Sequence, residues 1–326
     1  MDLNRLIADQ FEAYLANNRL LGKPATLYDP INYLLGFGGK RIRPQFLILS
    51  HSLFSKDISL ALPAALALEW FHNFTLAHDD IMDQATLRRG QAAVHMQYSV
   101  NAAILSGDVL MIKVYQHLLD HYTGEQALAL LRLMTQAAVE VCEGQQLDMD
   151  FETKSDINES EYLQMIHGKT ASLIAAALEM GAVTGGALQE QSNQIYQFGI
   201  SAGVAFQIQD DLLDAFGTEQ EIGKKPGGDI LQNKKTLLFI KAHELATEHD
   251  RLLLNRLYAD PQLIDPFEKI RQVREIFERT GSREYSTNML DQLYADAKQN
   301  LIFADVDQVA LDAIWQMTDK LLHRKH

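Results

Sequence analysis

The chain has 326 residues, 47% of them hydrophobic, with 29 basic against 43 acidic side chains and a formal net charge of −14. That length and apolar content are ample for a large buried core, while the negative balance argues against a nucleic-acid surface and a broadly basic membrane patch. Any anionic ligand must be held by local clusters of cations.

The start, MDLNRLIADQFEAYL, mixes acidic residues into its apolar pattern and shows no small-residue cleavage site, so it does not read as a secretion signal. The stretch Phe37 to Pro44, FGGKRIRP, sets three cations beside a diglycine. Its flexible backbone would let Lys40, Arg41 and Arg43 converge on one anion; an ordinary basic turn is the alternative. From Pro63 to Pro226 no proline intervenes, and this span reads as successive long helices. Runs such as Glu125 to Val141 and Ser160 to Met180 place apolar residues at helical spacing, and strand signals are nearly absent. Helices apolar on several faces belong inside a multi-helix bundle. Ala171 to Leu188, the most apolar long run, carries Glu179 and a diglycine and reads as a buried core helix, not a membrane span. The single cysteine, Cys142, excludes an intrachain disulfide and fits a reducing compartment.

The stretch Leu68 to Gly90 contains Asp79, Asp80 and Asp83 in the order DDIMD. On a helix Asp79 and Asp83 lie one turn apart on one face, so two carboxylates converge and call for cations. An isolated match of this kind is usually a solvated helix face, but Gly203 to Asp214, GVAFQIQDDLLD, repeats it with Asp210, Asp211 and Asp214. Two such clusters facing one another would hold several Mg²⁺ ions open to a phosphate-bearing ligand. Arg88 and Arg89 follow the first cluster; on a turn they point in different directions and suit two phosphate groups, or else make salt bridges to nearby acids. Phe216 to Thr236 mixes glycines and prolines with four lysines and reads as a mobile basic lid, with a plain surface loop as the alternative. His72, seven positions before Asp79, is either a hydrogen-bonded core residue or a ligand contact. Residues 260–326 fit further helices without an assignable role. Carboxylates for metals, cations for a diphosphate and an apolar lining together suit departure of a diphosphate from a hydrocarbon chain, leaving a carbocation shielded from water.

GGKRIRP, HDDIMD with LRRG, SGDVL, EGQQLDMDFE, HGKTASL, FQIQDDLLD and GKKPGGDILQNKKT stand in the order characteristic of one family. The chain resembles the trans-isoprenyl diphosphate synthases, or polyprenyl synthetases, over essentially its whole length. The resemblance implies a single domain over residues 1–326 with an all-α fold, an isoprenoid-synthase-type bundle of about ten or more helices around a deep central cavity. It implies a homodimer, cytoplasmic and without stable membrane insertion, and two aspartate-rich helices facing each other. It implies Mg²⁺-dependent condensation of isopentenyl diphosphate with an allylic diphosphate by ionisation, condensation and elimination. Asp79, Asp83 and Asp210 would hold about three Mg²⁺ ions, with Asp80, Asp211 and Asp214 in supporting positions. Arg88, Lys169, Thr170, Gln207, Lys224 and Lys234 would surround the allylic diphosphate, Lys169 and Lys224 among the catalytic groups. Lys40, Arg43, His72 and Arg89 would hold isopentenyl diphosphate, and Gln145 and Asp148 match a stretch that lines the cavity.

In this family the residues below the first cluster form a floor that limits product length. Thr75 is small, so the floor would be Phe74 or, one turn further, Phe71. Since a helix turn rises about 5.4 Å, near the length of one isoprene unit, this pattern resembles synthases of the twenty-carbon product, geranylgeranyl diphosphate, with the fifteen-carbon farnesyl diphosphate next. A class I terpene cyclase shares the first motif but needs no second diphosphate and lacks the GGKRIRP segment. A non-catalytic subunit of a heteromeric synthase tends to lose the aspartate motifs, and both are intact.

Overall fold

The computed structural model of the protein describes residues 2–154, 156–222, 225–259, 264–301 and 305–322. In chain order its helices are α1 (Leu3–Asn17), α2 (Ala25–Leu35), α3 (Ile42–Ser52), α4 (Leu62–Met82), α5 (Val94–Gln97), α6 (Val100–His121), α7 (Gly124–Thr153), α8 (Glu159–Ile166), α9 (Ser172–Gly185) and α10 (Gln189–Phe216). They continue with α11 (Glu219–Ile222), α12 (Gly228–Leu231), α13 (Leu237–Leu245), α14 (Glu248–Ala259), α15 (Pro266–Arg279), α16 (Ser282–Asn300) and α17 (Gln308–Leu322). The fold is all-α. Among the described residues, extended pairing is confined to a hairpin of β1 (Leu87–Arg88) and β2 (Gln91–Ala92), and no helix is long and apolar enough to cross a membrane.

Local chemistry sets many of the helix ends. Pro63 and Pro266 stand in the first turns of α4 and α15, where a missing N–H costs no hydrogen bond. Asp2, Ser99 and Asp265 accept from the first free amides of α1, α6 and α15, and Asn158 with Glu161 closes a capping box on α8. The run expected as one helix from Ser160 to Met180 is interrupted by a π-helical turn over His167–Ala171, which sets α8 and α9 apart.

The chain divides into two compact units. Unit 1 is Met1–Thr135, Ala176–Asn193 and Phe303–Ile314. Its centre is α4, whose Ala64 to Leu68, Trp70 and Phe71 are buried and which packs along α6. The α9 residues of this unit run over α3 at close range: a Cβ on Gly181 would lie 2.1 Å from the Leu47 carbonyl oxygen. Unit 2 is Gln136–Ala175, Gln194–Ile302 and Trp315–His326. Its core gathers Tyr162, Ile208, Leu238, Leu254, Val273 and Phe277.

Glu179, in the apolar α9, is 8% exposed, and burial pushes its carboxyl up from 4.5 to about 7. The folded chain therefore holds this proton more tightly than the unfolded chain, so the group's contribution to stability is full below pH 4.5 and is lost as pH rises towards about 7. Glu179→Gln, which removes the charge, is expected to raise unfolding free energy by about 1–3 kcal/mol at pH 8 and to change it little at pH 4.5. Denaturant unfolding at both values checks this, and equal effects at the two would contradict it.

Candidate active site

The first acidic cluster closes α4. Asp79 lies half-buried in the last turn, and Asp83 is the C-cap, its amide donating to the Asp79 carbonyl over 2.8 Å. Carboxylates at a helix C-terminus face the negative end of the dipole, an arrangement that a cation relieves. Asp80 turns the other way. It is fully buried and its Oδ1 accepts from Nε (2.9 Å) and Nη2 of Arg88, while Oδ2 has no partner among the described residues.

The basic segments gather beside this turn within the same unit. Arg89 and Gly90 take positive φ of 51° and 76° between β1 and β2, a two-residue hairpin that sends Arg88 to Asp80 and Arg89 elsewhere. Arg89 lies across the diglycine: a Cβ on Gly39 would meet its Nη1 at 2.3 Å. Arg43 Nη1 donates to His72 Nε2 over 3.3 Å. Since arginine can only donate, the proton of a neutral His72 sits on Nδ1. Burial, reinforced by Arg43, Arg89, Arg88 and Arg41, holds His72 well below its usual value, so it stays neutral near pH 7. Burial also lowers Arg43 and Arg89, each further depressed by neighbouring guanidiniums. A set of converging positive charges that depress one another is a place for an anion.

Arg41 does not join them. At a left-handed φ of 47° it turns inward, pairing with buried Glu69 at 2.6 Å and with Glu12 at 3.0 Å, and donating to the Leu35 carbonyl. The expected convergence of all three FGGKRIRP cations thus reduces to Lys40, at the exposed edge, and Arg43. One turn below Asp79, Thr75 binds its hydroxyl back to the His72 carbonyl, and Phe74 is buried with its ring 5.5 Å from that of Phe71. The SGDVL stretch seats His78: its ring occupies the space over Gly107, and Nε2 reaches the Ile104 carbonyl at 3.2 Å and Asp108 at 3.8 Å.

Unit 2 carries the second cluster in the last two turns of α10. Asp210 is half-buried. Asp211 is buried and accepts from the Tyr162 hydroxyl at 2.6 Å and from Gln207 at 3.0 Å; Gln207 in turn accepts from Thr170 at 2.9 Å. Burial, with the negative charges of Asp229 and Asp210, pushes Asp211 up to about 7. Asp214, 4% exposed, accepts from the Asp229 amide at 2.8 Å, and its backbone carbonyl accepts from Gly227 at 2.6 Å. Lys169 pairs with Asp148 at 2.5 Å, and Gln145 is half-buried on the same helix as Asp148. Two glycines permit that geometry. A Cβ on Gly144 would lie 2.1 Å from the Lys169 amide, and one on Gly168 would lie 2.6 Å from the Glu140 carbonyl, so α7 and the π-helical turn approach backbone to backbone.

Lys224 lies outside the described residues. Beyond it, the presumed lid is tied down over Gly227–Thr236. Besides the Asp214 contacts, Lys269, 1% exposed, donates to Asn233, and Lys235 donates to the carbonyls of Phe151 (2.7 Å) and Lys154 at the end of α7. Lys234 is exposed, with its ammonium 3.6 Å from Asp229. The mobile-lid expectation therefore does not hold for this half of the segment.

A sequence profile of the polyprenyl synthetase family matches residues 24–278. The chain belongs to that family. It is 38% identical over 305 residues to a short chain isoprenyl diphosphate synthase of Methanothermobacter thermautotrophicus, covering 93% of this chain and 92% of that protein. A crystal structure of a geranylgeranyl pyrophosphate synthase superposes with a TM-score of 0.94 at 37% identity over 100% of both chains. A geranylgeranyl pyrophosphate synthase of Corynebacterium glutamicum, complexed with isoprenyl diphosphate and magnesium, matches with a TM-score of 0.84 at 27% identity over 99% of this chain and 98% of that one.

As a member of the polyprenyl synthetase family the protein is a prenyltransferase. Its carboxylate sets are the hard oxygen donors that Mg²⁺ takes, one or two carboxylates at a time with phosphate completing the shell. Among the described residues no three His, Cys, Asp or Glu side chains gather into a ready-made metal cage. The residues that sequence reasoning missed are the buried partners Glu69, Tyr162 and Lys269 and the half-buried Asp229. Glu69 is the most consequential, since Arg41→Met would leave it buried without its cation. That substitution is expected to cost about 3–5 kcal/mol of unfolding free energy. An unchanged denaturation midpoint would contradict the assignment.

Proposed function

We propose that the protein condenses isopentenyl diphosphate with an allylic diphosphate, in the manner of a short-chain synthase whose main product is geranylgeranyl diphosphate. The observation that carries this reading is the cationic group around Gly39. Arg43, Arg89 and neutral His72 form an anion site distinct from the acidic turn of α4, which fits an enzyme with two diphosphates to hold. A terpene cyclase has only one, and a non-catalytic subunit has no use for either feature.

In this reading Asp79 and Asp83 from α4, and Asp210 from α10, hold Mg²⁺ on the allylic diphosphate; when bound, the metal stabilises the negative charge that develops as the diphosphate leaves. Asp80 fixes Arg88 so that its remaining N–H groups turn to the same diphosphate. Asp211 fixes Gln207 and, through it, Thr170. Lys169 and Lys234, each near a carboxylate in the free chain, move to the diphosphate, with Lys224 added from the family pattern. Lys40, Arg43, His72 and Arg89 fix isopentenyl diphosphate, whose double bond attacks the allylic cation before a proton is lost, with the departed diphosphate as base. No side chain acts as nucleophile.

The proposal extends to a homodimer. Leu105, Ile112 and Leu119 recur every seven residues along α6 and are 57%, 65% and 58% exposed, an apolar stripe suited to a second copy. A cytoplasmic location, in keeping with a single cysteine, belongs to the same reading.

Asp79→Ala or Asp210→Ala is expected to lower turnover at least about a hundredfold without unfolding the chain. Near-normal conversion of labelled isopentenyl diphosphate by either variant would remove the metal assignment. The product reports on the floor. Thr75→Phe is expected to shorten it and Phe74→Ala to lengthen it by about one isoprene unit, one helix turn of about 5.4 Å. Unchanged chromatograms for both variants would place the floor elsewhere.

A further inference from the structure

Unit 2 contains a cavity of about 690 Å³ at the end of α10, walled by Lys225, Pro226, Gly228 and Leu231 on one side and by α15 on the other. None of its lining residues belongs to the site described above. Its size falls in the range of small-ligand pockets. The surface is largely apolar, with Phe216 and Ile270 inside and Phe267, 73% exposed, at the rim. Four cations line it, Lys225, Arg271, Arg274 and Arg283, together with three carboxylates, Glu219, Glu275 and Glu278.

These cations are not equally engaged. Arg271 pairs with Glu268 and Glu275 at 2.5 Å each. Arg283 pairs with Glu278 at 3.0 Å, its guanidinium 4.4 Å from the centre of the Phe216 ring. Arg274 differs. Its Nε and Nη2 are shut off from solvent and have no hydrogen-bond partner among the described residues. Burial draws its guanidinium below the usual arginine value, against the favourable charges of Asp214 and Glu278. Arginine stays charged under this pressure, and buried charged donors are costly until something accepts from them. The Nε and Nη2 groups form one edge of the guanidinium fork, and such an edge takes two oxygens of a single oxyanion. Arg274 lines the cavity, and turning this edge into it, as a bound oxyanion would require, would give both donors an acceptor.

We propose that this cavity is a second ligand site, taking a small amphiphile whose oxyanion head, phosphate or carboxylate, seats on Arg274 while its hydrocarbon body lies against Phe216, Ile270 and Phe267. The site is independent of the proposed reaction. Its wall includes Gly228, which lies between the two residues whose amides Asp214 fastens, Gly227 and Asp229, so an occupant touches the segment leading to Lys234.

The test is calorimetric titration of the full chain with decyl phosphate and with decanoate, in EDTA so that no metal-held diphosphate site can form. At least one probe is expected to bind at one site per chain, and the tighter of the two names the head group. Arg274→Met should weaken binding at least about tenfold. Phe267→Glu, at an exposed position that leaves folding intact, should weaken it similarly and decides the matter alone if Arg274→Met does not fold. Arg43→Met, in unit 1, should leave it unchanged. Inorganic phosphate should bind at least about tenfold more weakly than decyl phosphate. The proposal is overturned if neither probe binds, if a folded Arg274→Met or Phe267→Glu binds as wild type does, if Arg43→Met abolishes binding, or if inorganic phosphate binds equally well.

Discussion

The proposed metal site rests on carboxylates gathered near the C-terminal ends of two helices. Asp79 and Asp83 close α4 and Asp210 lies in the last two turns of α10. At the last turn of α4, Asp79 and Asp83 meet the negative end of the helix dipole, an unfavourable placement that a cation relieves. The other three acids of the two motifs are buried against protein partners: Asp80 on Arg88, Asp211 on Tyr162 and Gln207, Asp214 on the Asp229 amide. In each motif, then, the better-buried acids are held by protein partners, while Asp79, Asp83 and Asp210 are those to which the proposed function gives the metal.

Charge of the opposite sign is managed in the same way. Arg41 is neutralised internally by Glu69 and Glu12, and this buried pairing anchors the loop from which Arg43 and Lys40 project. Even so paired, Arg41 still contributes to the positive field that lowers Arg89 and His72. The left-handed backbone at Arg41 costs about 1–2 kcal/mol, which the paired charges offset. In unit 2, Lys235 and, from α15, Lys269 fasten the segment around Lys234, so of the two lysines of Gly227–Thr236 one is an anchor and the other is exposed.

Much of this was legible in the sequence because it depends on local pattern. Helical spacing gave the all-α fold, and the two aspartate motifs and the diglycine gave the site's residue types. Periodicity does not report contacts between residues distant in the chain. Nothing in the letters tells that Arg41 faces Glu69 while Arg43 faces His72, because both follow from one left-handed residue before α3. The π-helical turn at His167–Ala171 was equally hidden, since Gly168 there packs against Gly144 and Glu140 on another helix, a contact that local pattern does not report. The Phe216–Thr236 segment read as mobile from its glycines, yet buried partners from α7, α10 and α15 hold its second half.

Under the proposed function, Asp79 and Asp210 serve one diphosphate through shared Mg²⁺. This sharing is tested most directly by calorimetric binding of inorganic diphosphate at saturating Mg²⁺ to Asp79→Ala, Asp210→Ala and the double variant. If the turns act together, either single substitution removes most of the Mg²⁺-dependent binding and the double variant loses little more. Losses that simply add, or Mg²⁺-dependent binding that survives both substitutions, would contradict the account.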